Sequence, residues 1–174
     1  MTHPEQIIND MIDIGGRATI NNFCSRTAKT AKDGAQQSYH YMMRLVKGGY
    51  LKQLPFYDQR KILSLSRRRG LFYATTKKGY EKVHRGDEYR AIDPLAESTF
   101  AHTSAINDIL LSFKWLYQQF TWTFIFNKSL PLPKPIRETK NRTKTHLYPD
   151  CHIIAEKFIP EQKKTLRYEF LLEM

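Results

Sequence analysis

The hydrophobic period changes from that of a helix to that of a strand at Gly48-Gly49, and this change constrains the fold more than any other feature. Before it, apolar residues recur at helical spacing at Tyr39, Met42, Leu45 and Val46. Asp33 is a favourable N-cap for this segment, and the glycine pair is a typical stop. After it come three short extended segments, YLKQLPFY, ILSLS and GLFYAT. The sequence predicts a helix that begins near Asp33, followed by a β-hairpin.

Two further helices are predicted upstream of this one. Residues 4–14 place apolar side chains on one helical face, at Ile7, Ile8, Met11 and Ile12. Gly15-Gly16 ends that segment, and a short second helix is expected at residues 19–25. Three helices followed by a basic hairpin is the order of a winged helix-turn-helix, whose third helix enters the major groove. The closing segment LFYATTKKGYEKVH resembles the usual ending of that fold, a strand followed by a Thr-capped helix with an internal glycine.

Charge is distributed unevenly and indicates both a partner and a boundary. The formal net charge is +11, which favours a polyanionic partner such as DNA. Residues 51–85 contain ten Lys/Arg against two acids, a net of +8, whereas residues 86–98 are acidic with a net of −3. The predicted organisation is a winged-helix domain at 1–86, a linker at 87–98 and a second domain at 99–174.

The predicted DNA contacts lie on the third helix, on the hairpin and on a basic loop further along the chain. Arginines in the hairpin suit phosphate contacts better than base readout. A winged helix that binds only proteins remains the less favoured alternative. The candidate residues are Gln36, Gln37, His40, Tyr41, Arg44, Lys47, Arg60, Lys61, Arg67, Arg68, Arg69, Lys134, Arg137, Lys140, Arg142 and Lys144.

The sequence indicates a cytoplasmic protein without a membrane span. Its longest apolar stretches, such as residues 122–126, are too short to cross a bilayer. The N-terminus carries acids and no basic region, unlike a secretory signal. Cys24 and Cys151 have no partner pattern, so both are expected to be reduced thiols.

The second half predicts a helix, a strand and then a strand–turn–strand. Ser98 or Thr99 caps the helix, and its expected apolar stripe is Ala105, Ile106, Ile109, Leu110, Phe113 and Leu116. TWTFIFNKSL is the first strand, and HLYPDCHIIAE and TLRYEFLLEM are the last two.

Asp150 and Glu173 are the candidate metal ligands on the last two strands. Opposite residues of an antiparallel hairpin share a face, and their numbers have a constant sum. Pairing Asp150 with Glu173 requires a turn centred between Glu161 and Gln162, in the most polar part of the connection. Pairing with Glu169 would draw polar residues into the strand, so Glu173 is favoured. Two carboxylates on adjacent strands suit Mg²⁺ or Mn²⁺.

This order, with Pro-Asp at the start of one strand and an acid late in the next, resembles a restriction-endonuclease-like core. The whole chain resembles the replication-relaxation family, which includes MobC-type conjugative relaxases. The features that carry this resemblance are the winged helix and the segments AHTSAIND, YPD and LLEM. The expected fold class is α+β, a winged helix-turn-helix followed by a partial restriction-endonuclease-like α/β core. The resemblance implies Asp150 and Glu173 as metal ligands and His102 as the family's helix histidine, and Asp108 is a speculative third acid. It also implies a fragment cut inside its own Glu-x-Asp motif, so we expect this chain to be inactive on its own.

The main hypothesis is a relaxase that binds a plasmid transfer origin and nicks one DNA strand by carboxylate–metal chemistry. Relaxosome or coupling proteins would be its further partners. A covalent tyrosine mechanism is less favoured, because the six histidines form no cluster. The alternative hypothesis is a non-catalytic winged-helix regulator or replication initiator whose second half dimerises.

Overall fold

The computed structural model of the chain describes residues 3–23, 31–54, 72–92, 99–127, 129–131 and 146–174. The fold is mixed α+β and divides into two compact units, Met1–Leu116 and Tyr117–Met174. None of the helices in these ranges is long and apolar enough to cross a membrane.

The first unit begins with helices packed around a small sheet. Helix α1 is His3–Asp13, strand β1 is Arg17–Thr19, a 3-10 turn is Asn21–Phe23, and helix α2 is Ala31–Lys47. The predicted apolar face of α1 is buried, since Ile7, Ile8, Met11 and Ile12 are at most 7% exposed. Burial of such side chains stabilises the fold by roughly 1.5–3 kcal/mol each.

Strands β2, Leu51–Gln53, and β3, Phe72–Thr75, complete an antiparallel sheet in the order β1-β3-β2. Helix α3, Lys77–Lys82, follows β3 and is capped by Thr76, whose Oγ1 accepts a hydrogen bond from the Gly79 amide at 3.2 Å. Gly79 lies so close to Tyr50 that a Cβ there would stand 2.4 Å from the Tyr50 carbonyl oxygen. The Thr-capped helix with an internal glycine is therefore confirmed, and the glycine is required by a close backbone approach.

Helix α4, Phe100–Leu116, belongs to the first unit, although the sequence placed it in the second domain. Its first residue packs on β3, with the rings of Phe72 and Phe100 at 4.5 Å and perpendicular. Further along, Asn107 Nδ2 donates to the Arg17 carbonyl at 2.9 Å. The predicted boundary at 87–98 therefore differs from the boundary between the compact units, which follows Leu116.

The last turns of α4 carry charged anchors to α1. Lys114 Nζ donates to Asp10 Oδ1 at 2.8 Å and also to Asp13, while Trp115 Nε1 donates to Asp10 Oδ2 at 3.3 Å. Asp10 is fully buried, so these partners compensate its charge.

The second unit contains a three-stranded antiparallel sheet, whose strands are β4, Thr121–Ile125; β7, Cys151–Ile159; and β8, Lys164–Leu172. The strands lie side by side in the order β4-β7-β8. A 3-10 turn, Pro160–Gln162, joins β7 to β8, with Lys163 in the left-handed region at φ 49°. A smaller antiparallel pair consists of β5, Leu130–Pro131, and β6, His146–Leu147.

Three sequence predictions need correction in detail. Helix α2 begins at Ala31, two residues before the predicted Asp33 N-cap. In place of a helix at 19–25, Thr19 ends β1 and a 3-10 turn occupies Asn21–Phe23, while residues 24 and 25 lie outside the described ranges. Leu116, predicted in the apolar stripe of α4, is 74% exposed. The buried side of α4 instead includes Asn107 and Leu111, because polar anchors help set its rotation.

Candidate functional site

The outer face of α2 is polar and exposed, as the sequence predicted. Met42 and Leu45 are buried in the core, and at 3.6 residues per turn this places the predicted contact residues on the other side. Buried Ser38 fixes this orientation by donating from Oγ to the Phe23 carbonyl at 3.0 Å. Of the six candidates on this helix, Tyr41 is half-buried and the others are exposed: Gln36, Gln37, His40, Arg44 and Lys47.

The remaining predicted DNA contacts lie outside the described residues. They are Arg60, Lys61, Arg67, Arg68, Arg69, Lys134, Arg137, Lys140, Arg142 and Lys144. Leu130 pairs with Leu147, and Pro131 pairs with His146. The assignment of these basic residues to DNA stays a prediction.

The register of the β7–β8 hairpin agrees with the sequence argument. Cys151 pairs with Leu172, so continuing the register by one residue places Asp150 opposite Glu173. Glu169 instead pairs with Ile154, four positions from the predicted site. The predicted turn centre is thus confirmed, because the polar segment 160–163 forms the turn.

At the open end of this hairpin the two acids have different environments. Asp150 is half-buried, and its Oδ2 accepts a hydrogen bond from the Met174 amide at 2.9 Å. Glu173 is exposed. Two carboxylates at adjacent strand ends are hard oxygen ligands of the kind that Mg²⁺ and Mn²⁺ prefer.

A second polar group, which the sequence argument missed, lies on the same sheet face as these acids. His152, only 3% exposed, contacts Glu169 Oε2 through Nε2 at 2.9 Å. Arg167 Nε donates to Glu169 Oε1 at 2.9 Å, and its Nη1 donates to Glu156 at 3.2 Å. The hydrogen bond from Arg167, followed by that from His152, lowers the pKa of the Glu169 carboxyl. The predicted register could have revealed this pair, because His152 and Glu169 are diagonal neighbours across the hairpin.

His102 and Asp108 lie on α4 in the first unit, whereas Asp150 and Glu173 lie in the second. Asp108 Oδ1 accepts a hydrogen bond from Asn22 Nδ2 at 2.8 Å, and His102 is half-buried. Within the described ranges, no three His, Cys, Asp or Glu residues group in a way that could hold a metal ion. The predicted set of Asp150, Glu173 and Asp108 is therefore not seen as one group.

Asn22 is a further structural residue that the sequence argument did not single out. Its Oδ1 accepts from the amide and the hydroxyl of Thr19, both at 2.9 Å, and its Nδ2 also donates to the Ser104 carbonyl at 3.0 Å. One side chain thus joins β1 to α4.

Comparison of the chain with protein-family models, with curated proteins and with solved structures finds no match in any of the three. The functional interpretation consequently rests on the residues and the geometry described above: a basic chain, an exposed polar helix face and two acids that the continued hairpin register sets opposite each other.

Proposed function

We propose that this chain is a DNA-binding protein of the conjugative-relaxase class. Its first unit would bind duplex DNA at a plasmid transfer origin, and Asp150 and Glu173 would hold Mg²⁺ or Mn²⁺ for nicking of one strand. The observation that carries the proposal is the hairpin register, which places these two acids opposite each other. Relaxosome or coupling proteins would be further partners.

The order of elements in the first unit supports a winged helix. A helix, a strand, a 3-10 turn and a longer helix are followed by two antiparallel strands and a short helix. The first strand pairs with the third, which also pairs with the second. In such folds the helix before the hairpin contacts the major groove, and here that helix is α2, with an exposed face that carries Arg44 and Lys47.

The topology of the second unit supports a restriction-endonuclease-like core. Three antiparallel strands follow α4, with Asp150 directly before the middle strand and Glu173 directly after the third. A divalent ion held there would stabilise charge on the attacked phosphate and make a bound water more acidic. The chain's own contribution would be two oxygen ligands, one beside each strand.

The metal assignment is tested by Asp150→Asn. This change removes the charge but keeps the acceptor for the Met174 amide, so the hairpin end should remain intact. We expect Mn²⁺ binding, measured by calorimetry or electron paramagnetic resonance, to weaken by ~100-fold or more, because even residues that only support a ligand contribute about 10–100-fold. Glu161→Gln, an exposed acid in the turn, is the matched control. Equal Mn²⁺ affinity in wild type and Asp150→Asn would remove Asp150 from the proposed site.

The nicking activity is tested on supercoiled plasmids with and without a transfer origin. The natural protein in which this sequence occurs is compared with the same protein carrying Asp150→Asn, in Mg²⁺ or Mn²⁺. We expect origin-dependent nicking that the substitution abolishes. Nicking that survives in the variant would contradict the proposal.

Duplex binding is tested on α2 by the double change Arg44→Ala and Lys47→Ala. Removal of each phosphate contact should reduce the slope of log affinity against log salt by about 1, hence by about 2 for the pair. Lys77→Ala on α3 is the control, since it removes an exposed cation from another helix. An unchanged slope in the double variant would remove α2 from the contact surface.

The alternative function is a non-catalytic DNA-binding regulator or replication initiator. One observation favours it: Asp150 already accepts a hydrogen bond from the Met174 amide, which gives this acid a structural role at the hairpin end. This alternative predicts the same salt dependence of duplex binding as the relaxase proposal does. It differs in predicting that Asp150→Asn leaves the Mn²⁺ affinity unchanged.

A further inference from the structure

The two faces of the β4-β7-β8 sheet differ in chemistry. The register assigns every second residue to one face, which we name the aromatic face. Its main members are Trp122 and Phe124 on β4, Ile153, Ala155 and Lys157 on β7, and Tyr168 and Phe170 on β8. The opposite face carries the His152–Glu169 pair and the Asp150–Glu173 site.

Four rings on this side of the sheet form a continuous series. The Trp122 and Phe124 rings are 6.3 Å apart and stacked, and Phe120, just before β4, lies 5.7 Å from Trp122 and 6.1 Å from Tyr168. At the β8 edge, Tyr168 is 45% exposed and Phe170 is 50% exposed. Adjacent exposed rings can each receive a flat partner, because aromatic groups stack at centroid distances of about 4.5–7 Å.

The two faces also differ in charge. The charged residues on the aromatic face are Lys157 and Lys164, whereas both glutamates of these strands, Glu156 and Glu169, lie on the other face together with Arg167. Lys157 Nζ stands 6.0 Å from the centre of the Phe120 ring. Within the three strands, the exposed rings are thus accompanied by cations and by no carboxylate.

We infer that the aromatic face binds single-stranded DNA, with bases stacked on its rings and phosphates drawn to Lys157 and Lys164. Exposed rings beside cations are the combination that single-strand binders use without base readout. Single-stranded DNA is the favoured occupant because the face is free of acids, which would repel phosphates. The inference rests on the proposed function in one respect, since a nicking protein must hold an unpaired strand.

The direct test is the double change Tyr168→Leu and Phe170→Leu in the full chain. Leucine keeps the apolar character but removes the stacking surface, so affinity for a fluorescein-labelled oligothymidylate, measured by anisotropy, should fall at least ~10-fold. The matched control is Phe158→Leu, an exposed ring on the opposite face at 60% exposure, which should leave affinity within about twofold. Circular dichroism and urea unfolding of all variants establish that the fold is retained.

A second readout uses the tryptophans, of which the chain has two, Trp115 and Trp122. In the Trp115→Phe variant, Trp122 is the remaining fluorophore, and stacking of a base on the aromatic face should quench its emission on addition of oligothymidylate. Absence of quenching despite tight binding would place the strand elsewhere and overturn the inference.

The outcomes separate this inference from the proposed function. Loss of single-strand affinity in the Tyr168/Phe170 variant, with duplex binding and its salt slope unchanged, supports the aromatic face. Equal single-strand affinity in wild type and variant overturns the inference. The proposed function is then still tested separately, by duplex binding and by Mn²⁺ binding. A preference for an oligouridylate of the same length also overturns it. So does concentration-dependent self-association, if the double change abolishes this association without changing the DNA affinity.

Discussion

At the scale of single residues, burial controls the reactivity of the Cys151 thiol. Cys151 is fully buried, and this desolvation raises its pKa to about 11. In a Cys24→Ser variant at pH 8, alkylation of native Cys151 by iodoacetamide should be on the order of 100-fold slower than in the urea-unfolded chain, because so little thiolate is present. Mass spectrometry of timed samples measures both rates, and equal rates would contradict the burial.

Glu169 makes stability depend on pH in a defined direction. Its folded-state pKa lies below the ordinary value of 4.5, chiefly because of the hydrogen bond from Arg167 and then that from His152. The stability that the ionised Glu169 carboxylate contributes to the fold is therefore fully present above pH 4.5, and it is lost as the pH falls through the folded-state pKa. Urea unfolding across this range should show a smaller acid-side loss of stability in Glu169→Gln than in wild type. Glu161→Gln is the control, and parallel curves for Glu169→Gln and wild type would refute the linkage.

At the scale of secondary-structure elements, Gly79 sets the distance between α3 and the turn after α2. In Gly79→Ala the new Cβ would lie 2.4 Å from the Tyr50 carbonyl oxygen and 2.7 Å from Thr75 Cγ2. Because backbone has to move, we expect a loss of about 1–3 kcal/mol in the free energy of unfolding, despite the better helix propensity of alanine. Lys77→Ala on the same helix should change stability by less than about 0.5 kcal/mol. Urea denaturation measures both, and a neutral Gly79→Ala would contradict the close approach.

Helix α4 depends on its charged anchor to α1. Lys114→Met keeps the aliphatic stem but removes the ammonium from Asp10, which is 0% exposed. Gln6 and Trp115 still donate to Asp10. We therefore expect a loss of about 3 kcal/mol, at the low end for a broken buried ion pair. Restoration of stability by Asp10→Asn in the Lys114→Met background would identify the unpaired charge as the cause, whereas no recovery would point to poorer packing.

At the scale of the whole molecule, the first compact unit extends to residue 116. A fragment of residues 1–116 retains Asn107, Lys114 and Trp115, the α4 residues that contact β1 and α1. We expect this fragment to unfold cooperatively in urea, whereas a fragment of residues 1–98 leaves Asp10 without Lys114 and should be unfolded or aggregated. A cooperative transition in the shorter fragment would show that the earlier boundary suffices.

Local rules explain what the sequence predicted correctly. The 3.6-residue period identified the buried side of α1 and the exposed side of α2, and turn chemistry identified the register that places Asp150 opposite Glu173. Both depend on neighbours in the chain.

The errors come from contacts between distant residues. The side-chain hydrogen-bond partners of α4 include Asn22 and Asp10, more than eighty positions away, and a hydrophobic period does not report such polar contacts. The His152–Glu169 pair joins residues only 17 positions apart, and it became predictable once the hairpin register was known.

The β7–β8 turn has a consequence for how this sequence can diverge. In a continuous hairpin, insertion of one residue that shifts the register turns every side chain of β8 to the other face. Asp150 would then face the position of Leu172, and Tyr168 and Phe170 would exchange faces with Glu169. A descendant that keeps both acids in use should therefore tolerate substitutions in 160–163 far better than changes in the number of residues there.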